Sequence, residues 1–554
     1  SDFSGCQDIL SNVTPISENN WFGTNMINWF WNMGTQGISF ANVVISRISE
    51  LDLDQTTKEQ MLSSAYFQRA WRYYHLIFQF GDIPFLSKEV TTPKLDFRST
   101  KMEVVIEQMI KDLEYAVGHI PDQVDYGKEN KGACRMLLIK YYMAAGDFDK
   151  ALEQANALID ASGYELMENT FGKWENPYPE HHPVTRNVIW DLHRPENKLI
   201  AENKEVILGM PNRGIGSSNS FVAFNTMRAL GPLWDDKSNL LDPNGVQAVK
   251  SFARSDKNYD SKYDYNRSIG RGTGYLHPTY YSQYGMWEVN GVDDEGDLRR
   301  STKSGNWMMM DSVRVNNPSS KYYGQYLQKS WCKDTIRDWF GWPHYKIYLM
   351  DQNAEAKESS TQFNGASSSS TTSGIADWYC YRLAEAYLLR AEAKFYNGDP
   401  AGAALDVNKV RERAQCKQLY TTVTIGDIMD ERARELYLEE WRYLELSRVS
   451  YCLALSGKPD ECGNTYDVNT YDKQEGTDPN GGSYWYQRIM HYNEFYNKNP
   501  ELIVKNHKYT IDKRNLYLPI PQSAIDANRL GKLRQNYGYD KYDDSVPMWG
   551  NWQE

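Results

Sequence analysis

Two segments of this chain, about 250 residues apart, repeat one helix-turn-helix pattern. They cover residues 133–164 and 377–414, and in each an apolar-periodic helix ends at a Gly-Asp pair. The glycines of these pairs, Gly146 and Gly398, can adopt the positive φ that ends a helix. The aspartate that follows each glycine can cap the N-terminus of a second helix. Each segment is therefore predicted to form two helices joined by a tight turn.

The second helix of each segment carries an apolar face. Its apolar positions recur at i, i+4, i+7 and i+11, which places them along one side of a helix. They are Phe148, Leu152, Ala155 and Ile159 in the first segment, and Ala403, Val407, Val410 and Ala414 in the second. This pattern is typical of tetratricopeptide-type hairpins, whose repeat is roughly 34 residues long. We expect a mainly α fold in which such hairpins form an α-α superhelix, with a large loop-rich insertion and a few short strands. Stacked hairpins usually present a binding surface, so recognition is predicted rather than catalysis.

The charge and the aromatic content of the chain indicate which kinds of ligand it can bind. The net charge is -12 and lysine-rich runs are absent, so no nucleic-acid partner is expected. The chain has 40 Tyr and 17 Trp, whereas aliphatic side chains are what protein cores favour. Amphipathic rings in excess suit flat ligands with polar edges, such as sugars, nucleobases or peptides.

Cysteine spacing and hydropathy exclude several further classes of site. The seven cysteines are scattered without a Cys-x-x-Cys pair, so neither a zinc site nor a disulfide framework is predicted. Pairing of Cys452 with Cys462 across a loop stays open. No stretch approaches the ~18 apolar residues of a membrane span. No cofactor is expected, although acidic loops at 293–295 and 542–544 leave room for a structural Ca²⁺ ion.

The texture of the sequence divides the chain into three parts, which we expect to form one compact unit. Residues 1–208 have helical periodicity, with long helices predicted at 60–80 and 101–120. Residues 209–374 are dense in Gly, Ser, Asn, Tyr and Trp and are predicted to form a loop-rich, variable lobe. Residues 375–554 return to helix and are expected to pack back on the N-terminal helices.

Several short motifs occur in a characteristic order along almost the whole chain. They are Arg69-Ala70 with FGDIPF at 80–85, DLRR at 297–300, YRLAEAYLLRAEA at 381–393, DERAREL at 430–436 with WRY at 441–443, LYLPIPQSAIDAN at 516–528 and QNYGY at 535–539. Each string alone is weak. Together and in this order, they resemble the SusD/RagB-like outer-membrane lipoproteins of Bacteroidota.

The resemblance implies a place and a role for the protein. It implies a surface-exposed outer-membrane lipoprotein that captures oligosaccharides, or peptides in the RagB branch. The captured ligand would pass to a SusC-like TonB-dependent transporter, over which the protein sits as a lid. The family's acylated cysteine would stand just before Ser1, so the membrane anchor would be a lipid that this chain does not include. Alternatively, residues 3–6 resemble a lipobox that ends at Cys6.

Aromatic side chains in two zones are the predicted ligand contacts. The resemblance implies a glycan groove built from loops before the first long helix and from the middle region, and the rings fall in these zones. A sugar stacks its C–H face on an indole or phenol, while planar polar groups bind its hydroxyls. Any single tryptophan is alternatively a core residue. The candidates are Trp21, Trp29 and Trp31 in the first zone, and Trp287, Trp307, Tyr322, Tyr323 and Trp331 in the second.

A run of charged residues at 431–448 has two interpretations. A glycosidase would use a pair of carboxylates there for acid-base catalysis. Opposite charges at i, i+3 and i+4 spacing favour structural ion pairs along one helix instead. We therefore expect no catalytic residue and no metal centre. A glycoside hydrolase on a helical scaffold and a scaffold that binds only protein are the alternatives. The charged residues are Glu431, Arg432, Arg434, Glu435, Glu439, Glu440, Arg442, Glu445 and Arg448.

Overall fold

The fold is mainly helical, as a computed structural model of the chain describes it. Described are residues 4–6, 26–174, 176, 182–212, 230–250, 261–263, 265, 269, 272, 274, 276–347, 377–473, 481–504 and 507–550. The helices are α1 Met26–Arg47, α2 Gln55–Phe80, α3 Met102–His119, α4 Lys131–Ala144, α5 Phe148–Ala161, α6 Val188–His193, α7 Pro195–Lys198, α8 Tyr280–Gln283, α9 Leu383–Tyr396, α10 Pro400–Arg413, α11 Ile425–Leu436, α12 Arg442–Ser456, α13 Tyr484–Tyr492 and α14 Gln522–Ala527. Among the described residues, no helix combines the length and apolarity that crossing a bilayer requires.

The two predicted hairpins are confirmed, and their turns follow the expected chemistry. Gly146 and Gly398 have φ angles of 74° and 81°, in the region where glycine is favoured. The Asp147 carboxylate accepts a hydrogen bond from the Lys150 N–H at 3.2 Å, which caps α5. Asp399 caps α10 in the same way through the Gly402 N–H at 2.8 Å.

The hairpins pack against one another through their apolar faces. Helix α5 lies against α9, so the first hairpin contacts the second although the loop-rich region separates them in sequence. Helices α1 to α4 pack in succession, each against the next. The buried residues of this body form one core that runs from α1 to the C-terminal residues around Tyr539. The apolar positions Ala403, Val407 and Val410 of α10 are fully covered.

One predicted helical stretch is a strand. The sequence pattern predicts helix from residue 377, but β8 (Trp378–Arg382) pairs antiparallel with β2 (Val206–Met210), and α9 begins only at Leu383. Burial alternates along Trp378–Tyr381: Tyr379 and Tyr381 are buried, whereas Trp378 and Cys380 are partly exposed. Alternation of this kind fits a strand, and β2 supplies the hydrogen-bonding edge that it needs.

The described part of the middle region is loop-rich, as expected, and has a core of its own. Its strands are very short: β3 (Leu276–Pro278), β4 (Glu288–Val289), β5 (Val292–Asp293), β6 (Trp307–Met308) and β7 (Trp342–Pro343). Strand β3 pairs with β1 (Ser4–Cys6), and the remaining four form two further antiparallel pairs. Near the C-terminus β9 (Ile503–Val504) pairs with β10 (His507–Lys508). Trp234, Leu240, Met310 and Val313 belong to the core of this lobe.

The charged run at 431–448 forms two helices rather than the single helix predicted. Helix α11 ends at Leu436, α12 begins at Arg442, and Leu438 between them has a φ of 68°. The Lys346 ammonium donates to the backbone oxygens of Glu435 and Tyr437, at 2.5 and 2.9 Å. A continuing helix would use these oxygens internally, so Lys346 stabilises the break.

The expected ion pairs along a helix are present, from Arg434 to Glu431 and from Arg448 to Glu445, both at i, i+3 spacing. Other ion pairs of this run join distant segments. Glu431 accepts from Arg299 at 2.6 Å and from Arg411 at 3.0 Å, and Glu435 accepts from Arg382 at 3.0 Å and from Arg413. These side chains are buried. Every carboxylate of the run contacts at least one arginine or lysine. This arrangement assigns the run to structure and leaves none of these carboxylates free for acid-base chemistry.

Acid is expected to weaken the fold through these carboxylates. Burial alone would raise the pKa of Glu435, but the guanidinium groups of Arg413, Arg382 and Arg299 outweigh it and lower the pKa from 4.5 to about 2. A carboxyl with a lowered pKa in the folded state stabilises the fold above its unfolded pKa, and this contribution is lost as the pH falls towards 2. We expect the free energy of unfolding, measured in urea, to fall between pH 5 and pH 3. A Glu435→Gln variant lacks this titration and should show a shallower fall; equal slopes would contradict the assignment.

The cysteines carry no cross-link in the described part of the chain. Cys452 is buried in α12 and Cys462 is exposed, and both are free thiols. The disulfide considered between these two residues is therefore not formed in this structure.

Candidate functional site

A turn in the lobe presents several tyrosines to solvent. Residues 313–327 double back on themselves: the Val315 N–H donates to the Gln325 oxygen at 2.9 Å, and the Leu327 N–H donates to the Val313 oxygen at 2.9 Å. Gly324 allows this reversal with a φ of 79°. Val313, Val315 and Leu327 point into the lobe core. Between them, residues 321, 323, 325 and 326 are exposed at the surface.

Two contacting pairs of rings and one further tyrosine lie on or beside this turn, and we call them the ring cluster: Tyr263 with Tyr323, Tyr322 with Trp331, and Tyr326. Tyr322 meets Trp331 edge-on, with 5.2 Å between ring centroids. Tyr263 meets Tyr323 in the same manner at 5.7 Å. Tyr323 and Tyr326 are 37% and 48% exposed, which leaves much of their surface available to a ligand.

Polar contacts beneath the turn hold the ring cluster in place. The Arg314 guanidinium lies 3.8 Å from the centroid of Tyr326 and donates to its hydroxyl at 2.7 Å. The Ser320 hydroxyl donates to buried Asp242 at 2.5 Å. Trp331 is fixed by its backbone oxygen, which accepts from the Leu241 N–H at 3.2 Å. A ring surface ordered in advance loses little entropy when it binds.

Three of the predicted contacts, Trp31, Trp287 and Trp307, are buried instead of exposed. Trp31 packs edge-on against Phe80 in the helical core, at 5.4 Å. Trp287 and Trp307 pack on each other at 5.7 Å, and the Trp287 indole donates to the Ser282 oxygen at 2.8 Å. Their faces are covered by protein, so the candidate site excludes them.

The other predicted residues lie in different places. Tyr322, Tyr323 and Trp331 belong to the ring cluster. Trp29 is 52% exposed on α1, in the helical body rather than in the lobe. Trp21 falls outside the described residues.

Sequence reasoning missed Tyr263, Tyr326 and Arg314. The spacing Tyr-Tyr-Gly-x-Tyr at 322–326 was a usable signal for Tyr326, because a glycine turn displays the side chains on both sides of it. Tyr263 had no such signal, since it comes from a segment 60 residues away.

A second exposed aromatic pair lies elsewhere in the lobe. Tyr280 and Tyr284 are 68% and 42% exposed, and their ring centroids are 4.9 Å apart. Arg300 lies 5.5 Å from the Tyr284 ring and pairs with Asp293. This pair has fewer rings than the ring cluster.

The acidic loops considered for Ca²⁺ already have protein partners. Asp294 accepts from Arg411 at 3.0 Å and from the Gln418 N–H at 2.8 Å. Asp293 accepts from Arg300, and Asp543 accepts from the Ser545 N–H. Within the described ranges, no group of three or more His, Cys, Asp or Glu side chains is placed to hold a metal ion.

The family models and the relatives that match this chain are all SusD-like or starch-binding proteins. A family model described as "SusD family" matches residues 248–539, and one described as "Starch-binding associating with outer membrane" matches residues 2–143. SusD-like protein P2 of Formosa agariphila is 33% identical over 160 residues, which cover 28% of this chain and 31% of that protein. Starch-binding protein SusD of Bacteroides thetaiotaomicron is 24% identical over 397 residues, covering 69% of this chain and 63% of that protein. The chain thus spans less than two thirds of the length of these two relatives.

Solved structures share the fold. A laminarin-binding SusD-like protein superposes with a TM-score of 0.56 at 17% identity, covering 97% of this chain and 92% of that chain. Surface glycan-binding protein A from Bacteroides uniformis superposes with a TM-score of 0.52 at 17% identity, covering 92% and 84%. At this level of identity the likeness establishes architecture, and the expectation of a mainly α, tetratricopeptide-like fold is confirmed.

Proposed function

Because the chain belongs to the SusD family, we propose that it binds a glycan at the cell surface and passes oligosaccharides to a SusC-like TonB-dependent transporter. The observation that carries the proposal is the ring cluster, with Tyr323 and Tyr326 exposed and Arg314 beside them. The names of similar proteins, which bind starch or laminarin, support a carbohydrate ligand.

The chemistry of the ring cluster suits a sugar better than an anionic or purely apolar ligand. Phenol and indole faces accept the C–H face of a pyranose, and the tyrosine hydroxyls at the ring edges can exchange hydrogen bonds with sugar hydroxyls. Gln325 and Gln328 are exposed beside the rings and offer planar amides for the same purpose. A shallow surface of this kind covers little of its ligand, so we expect dissociation constants of about 1 μM or weaker.

Binding without catalysis is part of the proposal. A hydrolase would need two carboxylates about 6.5–9.5 Å apart across a cleft, free to exchange protons. The carboxylates of the charged run are engaged with arginines inside the protein. A peptide ligand, as in the RagB branch of the family, is the second candidate, because exposed tyrosines and an arginine also suit peptides.

Calorimetry with a panel of glycans tests the proposal. The panel should include β-1,3-glucan and α-1,4-glucan oligomers, with unrelated peptides as the comparison. Heat of binding is expected with at least one glycan, and no reducing sugar should be released during prolonged incubation. Heat with peptides alone would move the protein to the peptide-binding branch, and release of reducing ends would overturn the non-catalytic assignment.

Delivery to a transporter requires a stable complex at the outer membrane. Affinity purification of the tagged protein from its native membrane is expected to recover a large TonB-dependent barrel protein. Recovery of the protein alone, from a soluble fraction, would contradict the transporter part of the proposal.

A further inference from the structure

A wide groove lies on the helical body, away from the lobe. It runs between α1, α2 and the segment that follows α3, and it encloses about 900 Å³. This volume is in the range of small-molecule and peptide sites. The residues that line the groove include Gly37, Phe40, Val44, Met61, Arg72 and Val124.

The wall of the groove is largely apolar and open to solvent. Phe40 is 66% exposed and Met61 is 41% exposed, although neither lies in a loop. The apolar surface continues along α1, where Trp29, Met33 and Val43 are also exposed. These residues recur at helical spacing, so they form one stripe beside the groove. A contiguous apolar face of this kind marks a site of interaction.

Arg72 makes the groove suited to a ligand that carries a negative charge. Its Nε atom is buried without a hydrogen-bond partner, and no ion pair is formed by Arg72 with any described carboxylate. Gly37 of α1 covers it so closely that a Cβ there would lie 2.7 Å from Nε. Burial lowers the pKa of Arg72, yet a guanidinium stays charged in proteins. A half-buried guanidinium that forms no ion pair with the described part of the protein can take a ligand carboxylate as its partner.

The neighbouring charges do not supply this carboxylate. Arg69, one turn earlier on α2, pairs with Asp112 at 2.7 Å. On the groove rim, Glu129 accepts from the Gln68 amide. Asp125 pairs with Lys128 at 2.8 Å and is exposed. Among the described residues that line the groove, Arg72 is therefore a cation that is left for a ligand.

We propose that this groove binds a peptide segment of a protein partner in which a carboxylate side chain stands beside apolar side chains. The carboxylate pairs with Arg72, and the apolar side chains cover Phe40, Met61 and Val124. Apolar peptide segments dock into helical grooves in this way, with a charged pair that fixes their register. The inference is independent of glycan binding, which uses the lobe.

Selection from a phage-displayed library of random seven-residue peptides tests the proposal with the full-length protein. Peptides enriched on the wild type are expected to contain Asp or Glu next to aliphatic or aromatic residues. The best peptide is then synthesised together with an analogue that carries Gln or Asn in place of its acidic residue. Fluorescence anisotropy should show the analogue binding at least tenfold more weakly, because it cannot form the ionic pair.

Variants assign the binding to the groove. Arg72→Met keeps an unbranched side chain that reaches about as far as Nε but carries no charge. This variant should bind the acidic peptide at least tenfold more weakly, and its affinity for the neutral analogue should change little. Phe40→Ser should weaken both peptides. Lys111→Met removes an exposed cation outside the groove and should change neither. Circular dichroism melting of each variant verifies that it is folded.

Three outcomes would overturn the proposal. They are the absence of any enriched peptide, enrichment without acidic residues, and peptide binding that Arg72→Met leaves unchanged. Binding of laurate without peptide binding would also overturn it, because the groove would then be an acyl-chain site. None of these outcomes bears on the glycan panel, so the two proposals fail separately.

Discussion

Replacing Glu435 by glutamine is expected to lower the free energy of unfolding by about 3–5 kcal/mol, the usual cost of removing one partner from a buried ion pair. The substitution keeps the shape of the side chain and removes one negative charge. Arg382, Arg413 and Arg299 all contact this carboxylate and would lose part of their neutralisation. Equilibrium unfolding in urea, followed by tryptophan fluorescence, measures the change.

The matched control is an exposed pair. Asp125→Asn removes a carboxylate that pairs with Lys128 in solvent, where water and salt screen the interaction and the pair contributes little to stability. A small effect of Asp125→Asn beside a large effect of Glu435→Gln is the expected pattern. Similar effects of both variants would show that burial does not determine the energetics of these charges.

Removing the exposed rings is expected to abolish most glycan affinity. A double variant, Tyr323→Ala with Tyr326→Ala, should weaken the best glycan of the panel at least tenfold, which corresponds to about 1.4 kcal/mol or more. Exposed aromatic residues of this kind carry a large share of the energy at binding surfaces. Calorimetry measures the loss, and the melting temperature should change little because both rings are partly solvent-exposed.

The Tyr280–Tyr284 pair provides the comparison for this variant. Replacing both of these tyrosines by alanine removes a similar exposed ring area in the same lobe. Glycan affinity should survive this second change. The reverse result, with affinity lost through Tyr280 and Tyr284 and kept without Tyr323 and Tyr326, would place the glycan site at that pair.

Local chemistry explains which parts of the fold could be predicted. A glycine that tolerates positive φ followed by an aspartate that caps a helix is complete within a few residues, as at Gly146 and Asp147. The hairpin turns therefore follow from the sequence. The strand Trp378–Arg382 was beyond such reasoning, because its hydrogen bonds come from residues 206–210, far away in the chain.

The burial of each aromatic ring could not be predicted for the same reason. The residues around Trp307 and Trp331 do not reveal which ring is covered, yet Trp307 is buried against Trp287 while Trp331 is partly exposed beside Tyr322. The two rings differ in the residues that pack on them, and these residues come from other segments of the chain. The composition predicts that rings meet ligand, and only the fold identifies which rings are accessible.

The charged contacts at the base of the lobe have a consequence for engineering. Arg299 and Asp294 are joined to Glu431 and Arg411 by short, directional contacts, which fix the angle at which the lobe meets the helices. The turn at 319–326 lies over a separate core and takes no part in these contacts. Loops transplanted from another member of the family onto this turn would thus be presented in an unchanged pose, and the proposed glycan specificity could be exchanged without rebuilding the scaffold.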